Sequence, residues 1–172
     1  KIFSGTYSTG VVPDKIKWKQ NRDPNNIPRS LCNVWKSNIS VAKIVLLKEI
    51  SKIDNSCSVI LSAHNSLACW GIEEYGTEEQ KEKYLRPLAT GQKIGGFCLS
   101  EPESGSDATQ QKTSAIDKGD YYVLNGVKNW ITNGKKAELY VVIAQSDIAK
   151  GYKGINAFVI ESKTKGISTG PK

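Results

Sequence analysis

The sequence predicts an α+β fold, with a helical part first and a β part after it. Two observations carry this. Apolar residues recur at helical spacing from about residue 41 to residue 92, and the period falls to two beyond Lys93. Helix-like and strand-like segments are also segregated along the chain, which argues against alternating βαβ units. The expected division is 1–92, helical from about 41, and 93–172, built from strands.

The elements follow in order. Residues 1–40 hold no lasting apolar period, being punctuated by Gly5, Gly10, Pro13, Pro24 and Pro28, and Asn21 to Pro28 reads as loop. From Val41 to Ile53, Ile44, Leu47, Ile50 and Ile53 recur every third residue, and Val45 and Leu46 widen the stripe. Lys43, Lys48, Glu49 and Lys52 are polar, so the segment predicts an amphipathic helix with one buried face. Asp54-Asn55-Ser56 breaks it and caps a second helix, from about Cys57 to Glu74, apolar enough to sit centrally in a helical layer. Tyr75-Gly76 supplies a glycine stop. Thr77-Glu78-Glu79-Gln80 then fits a capping box, opening a helix to about Ala89 that Pro87 shortens or kinks.

Strands are expected at Ile94 to Leu99, at Lys112 to Asp117 and at Tyr121 to Leu124, the last entered through Lys118-Gly119-Asp120. Asn125-Gly126 is a hairpin signal, with Val127 to Ile131 as the returning strand. Leu139 to Gln145 and Ile155 to Ile160 are β-branched runs divided by the loop Ser146 to Lys153.

Bulk properties exclude several classes. The 172 residues have room for one domain or one and a half. No apolar run reaches the roughly 18 residues of a membrane span. The net charge of +7 is uneven: residues 1–60 carry ten Lys/Arg and four Asp/Glu, residues 61–172 fourteen and thirteen. The excess around Lys15, Lys17, Lys19, Arg22 and Arg29 reads as a solvated basic arm. Trp18 and Trp35 lie near it without any nucleic-acid-binding module, so no nucleic-acid partner is expected. There is no methionine, so Lys1 reads as a processed, trimmed or fragmentary start. Cys32, Cys57, Cys69 and Cys98 make no CxxC pair and no ligand spacing with the lone His64, so no metal is expected. Cys57, Cys69 and Cys98 lie in apolar segments and read as buried thiols in a reducing compartment. His64 reads as a packed, satisfied histidine.

Two stretches carry the chemistry. In Phe97-Cys98-Leu99-Ser100-Glu101-Pro102-Glu103-Ser104-Gly105-Ser106-Asp107 a strand feeds a polar turn rich in short hydroxyl side chains. Such a turn can press backbone N–H groups and hydroxyls against a flat polar ligand, although Ser, Gly and Asp also fill ordinary loops. The second stretch is Asn125-Gly126-Val127-Lys128-Asn129-Trp130-Ile131-Thr132-Asn133-Gly134. By residue chemistry alone Trp130 serves equally as a core residue, Ser100 and Ser106 as turn caps, Thr132 as a strand residue and Lys128 as part of a hairpin.

Taken together, L-S-E-P-x-x-G-S-D followed by N-G-x-K-x-W-I-T-N resembles the flavin signature of the acyl-CoA dehydrogenase family. The likeness extends back to about Val41 and forward to the C-terminus, and is nearest the short-chain (butyryl-CoA) branch through Val59 to Leu67 and Gly95 to Ala108. It implies helices packed on a middle β-barrel domain, with a C-terminal helical bundle absent from this chain. It implies FAD as cofactor, lined by Phe97, Cys98, Leu99, Ser100, Glu101, Pro102, Glu103, Ser104, Gly105, Ser106, Trp130, Ile131 and Thr132. In that picture Leu99 and Ser100 meet the pyrimidine edge, Trp130 walls the ring and Thr132 stands by the hydride-accepting nitrogen. Ser106 also touches the acyl-CoA ester, and Glu101 holds the turn rather than acting as base.

The implied reaction is FAD-dependent α,β-dehydrogenation of a short-chain acyl-CoA to trans-2-enoyl-CoA. Electrons pass to an electron-transfer flavoprotein. The glutamate base belongs to the C-terminal bundle, so no catalytic residue is assigned in this chain. The same resemblance implies a homotetramer in the mitochondrial matrix, or in the cytoplasm of a bacterium. A non-catalytic scaffold relative and an acyl-CoA oxidase are the alternatives. Two positions depart from the family pattern: Glu103 replaces the commoner glycine, and Gln110, in place of a small residue, is expected to crowd the strand after it.

Overall fold

The computed structural model describes the backbone of residues 32–170 and the side chains of residues 42–170. The basic arm and the loop at Asn21 to Pro28 lie outside the described residues, as do the side chains of Trp35 and Cys32. Among the described residues, those up to Ser62 cluster as one compact unit and those from Ala63 onward as another.

The first unit holds α1 (Cys32–Ser51) and most of α2 (Asn55–Ala63). α1 begins nine residues before the expected start. Its stripe is not the buried face that the period suggests, for Ile44, Val45 and Leu46 are more than half exposed and Ile53 beyond it is 92% exposed. Periodicity reports that a helix has an apolar side, not what covers it. Asp54 caps α2 as expected, its Oδ1 accepting from Ser56 N at 2.7 Å and Cys57 N at 3.3 Å. The Cys57 thiol is exposed and turned to the Asp54 carboxylate, not buried.

The second unit starts with helices. A wide π turn, His64–Cys69, leads into α3 (Trp70–Tyr75). α4 (Glu78–Gln80) and a second π turn, Lys81–Leu85, lead into α5 (Arg86–Ala89). The expected capping box is present in both directions: Gln80 N donates to Thr77 Oγ1 at 3.2 Å, and Thr77 N to Gln80 Oε1 at 3.0 Å. Pro87 sits near the start of α5, where its missing N–H costs little. The apolar second helix is not wrapped on all sides: Leu67 and Trp70 are exposed while Ala68, Cys69 and Ile72 are buried.

Five strands follow: β1 (Gly95–Cys98), β2 (Ser114–Asp117), β3 (Tyr122–Asn125), β4 (Leu139–Gln145) and β5 (Ile155–Glu161). They form one mixed sheet, which represents the barrel domain here. β4 pairs along its length with β5 (antiparallel), and on its other edge with β1 (parallel) and, at Ser114↔Gln145, with β2. β2 and β3 form an antiparallel hairpin.

Both faces of the sheet are buried, which is why β4 and β5 read as continuous apolar runs. Leu139, Val141, Ala157 and Val159 pack with Ala68, Ile72, Tyr84 and Leu88. Tyr140, Val142, Phe158 and Ile160 pack on the opposite side with Cys98, Leu124, Ile131 and Ala137. β1 presses closely on the helices: a side chain at Gly95 would bring its Cβ to 2.8 Å from the Ala68 Cβ.

One expected element is missing. Val127 to Ile131 is not a strand and Asn125-Gly126 does not close a hairpin. Gly126 instead lies against Thr113, where a Cβ would stand 2.7 Å from the Thr113 Cα. The residues after it are claimed by bonds to the turn that follows β1.

Candidate functional site

The turn after β1 is built from its own residues. Glu101 and Ser104 form a bridge, Glu101 N donating to Ser104 O at 2.8 Å. Ser104 Oγ donates to Asp107 O at 2.7 Å, and Asp107 Oδ1 accepts from Thr109 N at 3.0 Å. These bonds leave Pro102, Glu103, Gly105 and Ser106 exposed on the outside of the turn. Gln110 is exposed in a short 3₁₀ turn, and the strand after it begins only at Ser114, so the crowding expected there does not occur.

The Glu101 carboxylate turns inward. Its Oε2 accepts from Lys112 N at 2.6 Å, and its Oε1 from Thr113 N at 3.0 Å and Lys128 Nζ at 2.7 Å. The Lys128 side chain is 0% exposed and its partner 5%. An ammonium has three N–H donors, and here each finds an acceptor: Glu101 Oε1, Leu99 O at 2.9 Å and Gln111 Oε1 at 3.2 Å. Burial pushes the Glu101 carboxyl up, but the bonds from Lys128, Thr113 and Lys112 outweigh it and hold the group below its ordinary value. Burial pushes the nearby Cys98 thiol up to about 12, against the opposing pull of Lys128.

The second motif is pinned to both ends of β1. Asn129 N donates to Ser100 O at 2.8 Å, and Asn133 Nδ2 donates to Gly95 O at 3.2 Å. Between these pins Trp130 has φ of 59° and Asn133 φ of 66°. The left-handed region costs a bulky L-residue about 1–2 kcal/mol. What that backbone achieves is exposure: the Trp130 indole is 78% exposed, while the next side chain, Ile131, points into the core.

The residues of the two motifs therefore separate. Cys98 and Ile131 are core, Phe97 is half-buried against the helix-side cluster, and the side chains of Glu101 and Ser104 are occupied internally. Leu99, Ser100 and Thr132 are half-buried, and Trp130 and Ser106 are exposed. Among the described residues, no partner engages the hydroxyls of Ser100 and Thr132. Lys128, Gln111, Asn129 and Asn133, which organise these groups, escaped sequence reasoning. A lysine between Val127 and a buried stretch was the available signal, and the hairpin reading of Asn125-Gly126 hid it.

Comparison with known families matches residues 96–172 to "Acyl-CoA dehydrogenase, middle domain" and residues 38–92 to "Acyl-CoA dehydrogenase, N-terminal domain". The chain belongs to the acyl-CoA dehydrogenase family. It is 52% identical over 127 residues to the short-chain specific acyl-CoA dehydrogenase of Clostridium acetobutylicum, covering 74% of this chain and 34% of that one. It is 42% identical over 144 residues to the caffeyl-CoA reductase-Etf complex subunit CarC of Acetobacterium woodii, covering 84% and 38%. A glutaryl-CoA dehydrogenase from Mycobacterium smegmatis in complex with FADH2 superposes with a TM-score of 0.61 at 40% identity, covering 66% and 28%. The chain thus spans about a third of the length of the curated relatives it matches.

The polar and aromatic groups of this chain fit a flavin. An isoalloxazine offers a flat face and a polar edge that both donates and accepts. Trp130 presents an open aromatic face, Ser100 and Thr132 present uncommitted hydroxyls, and the buried Asn129 Oδ1 has no partner. A buried acceptor left unpaired is costly unless something meets it.

Proposed function

We propose that this chain forms the FAD- and acyl-CoA-binding part of an enzyme that dehydrogenates a short-chain acyl-CoA to trans-2-enoyl-CoA. The observation that supports the reading is the segment 129–133, bonded to Ser100 O and Gly95 O and carrying an open indole at Trp130. FAD would supply hydride acceptance and onward electron transfer at this site. Leu99 and Ser100 would hold the pyrimidine edge, Trp130 would wall the ring and shed water from its face, and Thr132 would orient the hydride-accepting side. Ser106, exposed at the outer turn, would reach the acyl-CoA ester. Pro102, Glu103 and Gly105, exposed on the same turn, would border the cofactor.

Glu101 is not the base. Both its oxygens accept internal bonds and its charge faces Lys128. We assign α-proton abstraction to a carboxylate outside the described residues, in a C-terminal helical bundle of the whole protein. The electron acceptor is proposed to be an electron-transfer flavoprotein, which the Etf complex named for the CarC relative supports. A homotetramer, residence in the mitochondrial matrix or a bacterial cytoplasm, and a domain boundary near residue 92 belong to the same proposal.

The test is the visible spectrum of the full natural chain before and after anaerobic butyryl-CoA. A flavin spectrum that bleaches is the expected result. Reoxidation on admitting oxygen alone would move the assignment to an oxidase. Absence of flavin after FAD is added would overturn the catalytic reading in favour of a scaffold role.

A further inference from the structure

The bonds around Lys128 meet in a pattern that general stability does not explain. A buried ion pair is weak evidence for stability, because desolvation offsets its Coulombic attraction, and specifying one geometry is its better use. Here the three bonds of one ammonium reach the residue before the polar turn (Leu99 O), the carboxylate inside it (Glu101 Oε1) and the residue that leaves it (Gln111 Oε1). The turn is closed around a cation supplied by the other motif. The residue after that cation, Asn129, donates to Ser100 O, and the residue after that is the exposed, left-handed Trp130.

We infer that Lys128 is the positioning residue of the flavin site: its buried ammonium fixes the register between the Leu99–Ser100 edge and the Trp130 wall. It touches no ligand itself, being wholly enclosed. Without it the two segments would share one backbone bond near the site, Asn129 N to Ser100 O, and less would hold the segment that carries the indole. This inference rests on the flavin reading above.

The test uses the full natural chain as apoprotein, titrated with FAD. Lys128→Met keeps an unbranched side chain one atom shorter and removes the charge and all three bonds. The expected result is a folded variant whose FAD Kd rises about tenfold or more, as lost charge-assisted bonds imply. The long-wavelength flavin band should also lose its vibrational shoulder, since a loosely held ring samples water. Leu88→Ala, in the core on the other side of the sheet, should lower the melting temperature and leave the Kd unchanged.

Should Lys128→Met fail to fold, Gln111→Met decides. It removes one of the three acceptors, and a Kd rise of about threefold is expected. An unchanged Kd and spectrum in the folded variant overturns the inference, and so does an equal Kd rise in Leu88→Ala, which would mark the effect as general destabilisation. If the wild-type chain takes up no FAD, the flavin reading falls and this inference with it. If it binds FAD and the variants are indifferent, this inference alone falls.

Discussion

At Trp130 a residue of the kind usually folded inward is turned out to solvent, on a backbone that disfavours it. Its neighbours Asn129 and Asn133 hold it there, so the strain is set by tertiary bonds. Because the indole makes few internal contacts, Trp130→Ala should change the unfolding free energy by no more than about 0.5 kcal/mol. FAD affinity should weaken about tenfold through the lost aromatic contact. Chemical denaturation and FAD titration of one preparation check both halves, and a variant that unfolds would show the indole to be structural. Glu101 makes the opposite case, a polar residue turned in. Its folded-state value lies below its unfolded one, so as pH falls the unfolded chain takes up the proton first. The stability it contributes is complete above the unfolded value, about 4.3, and is lost as pH falls through the folded value. Unfolding measured from pH 6 downwards should therefore show a shallower loss below about pH 4 in Glu101→Gln than in the wild type, from a lower starting stability.

At the scale of elements, local chemistry and tertiary contact divide the credit. The capping box Thr77/Gln80 is purely local and forms as its four residues dictate. Thr77→Ala should cost about 1 kcal/mol, read from the thermal midpoint, with FAD uptake unaffected. Asn125-Gly126 is the contrary example. The pair favours a tight turn, yet Gly126 is used for its lack of a side chain against Thr113. Gly126→Ala should cost about 1–3 kcal/mol by overpacking, and should weaken FAD binding because it displaces the segment leading to Lys128. A variant at wild-type stability would show that this contact gives way easily. His64 also shows tertiary use of a local device. From its π turn, Nδ1 accepts from Gly95 N at 3.0 Å and Nε2 faces Leu88 O at 3.1 Å, joining helix to strand as a packed, satisfied histidine.

Across the whole molecule, the sheet is a wall with two furnished sides. Helices cover one, through Ile72 and Leu88. The other is covered by β2, β3 and the segment that carries Ile131 and Ala137. β1 is the seam, since Phe97 faces the helix side, Cys98 the other, and the turn leaves from its end. Ile72, with no exposed surface, anchors the helical cover. Ile72→Ala should cost about 2–5 kcal/mol in urea unfolding. A smaller loss would mean that the helices close over the cavity. The exposed stripe on α1 belongs to the other unit.

Sequence alone determined what local rules govern: the α+β order, the strands β4 and β5 to within a residue, the capping box, and the two motifs that mark the family. Periodicity and cap chemistry depend on neighbours three or four residues away, so they are legible without the fold. The family resemblance, rather than local chemistry, implied Glu101 as a turn-holding residue. What tertiary structure decided was direction. Whether Trp130 faces core or solvent, whether Lys128 sits in water or inside a turn, and whether Asn125-Gly126 closes a hairpin depend on partners 13 (126 minus 113) to 38 residues away in the chain. A buried charge finds its place only when its acceptors are already there to meet it, and no local pattern records where they will be.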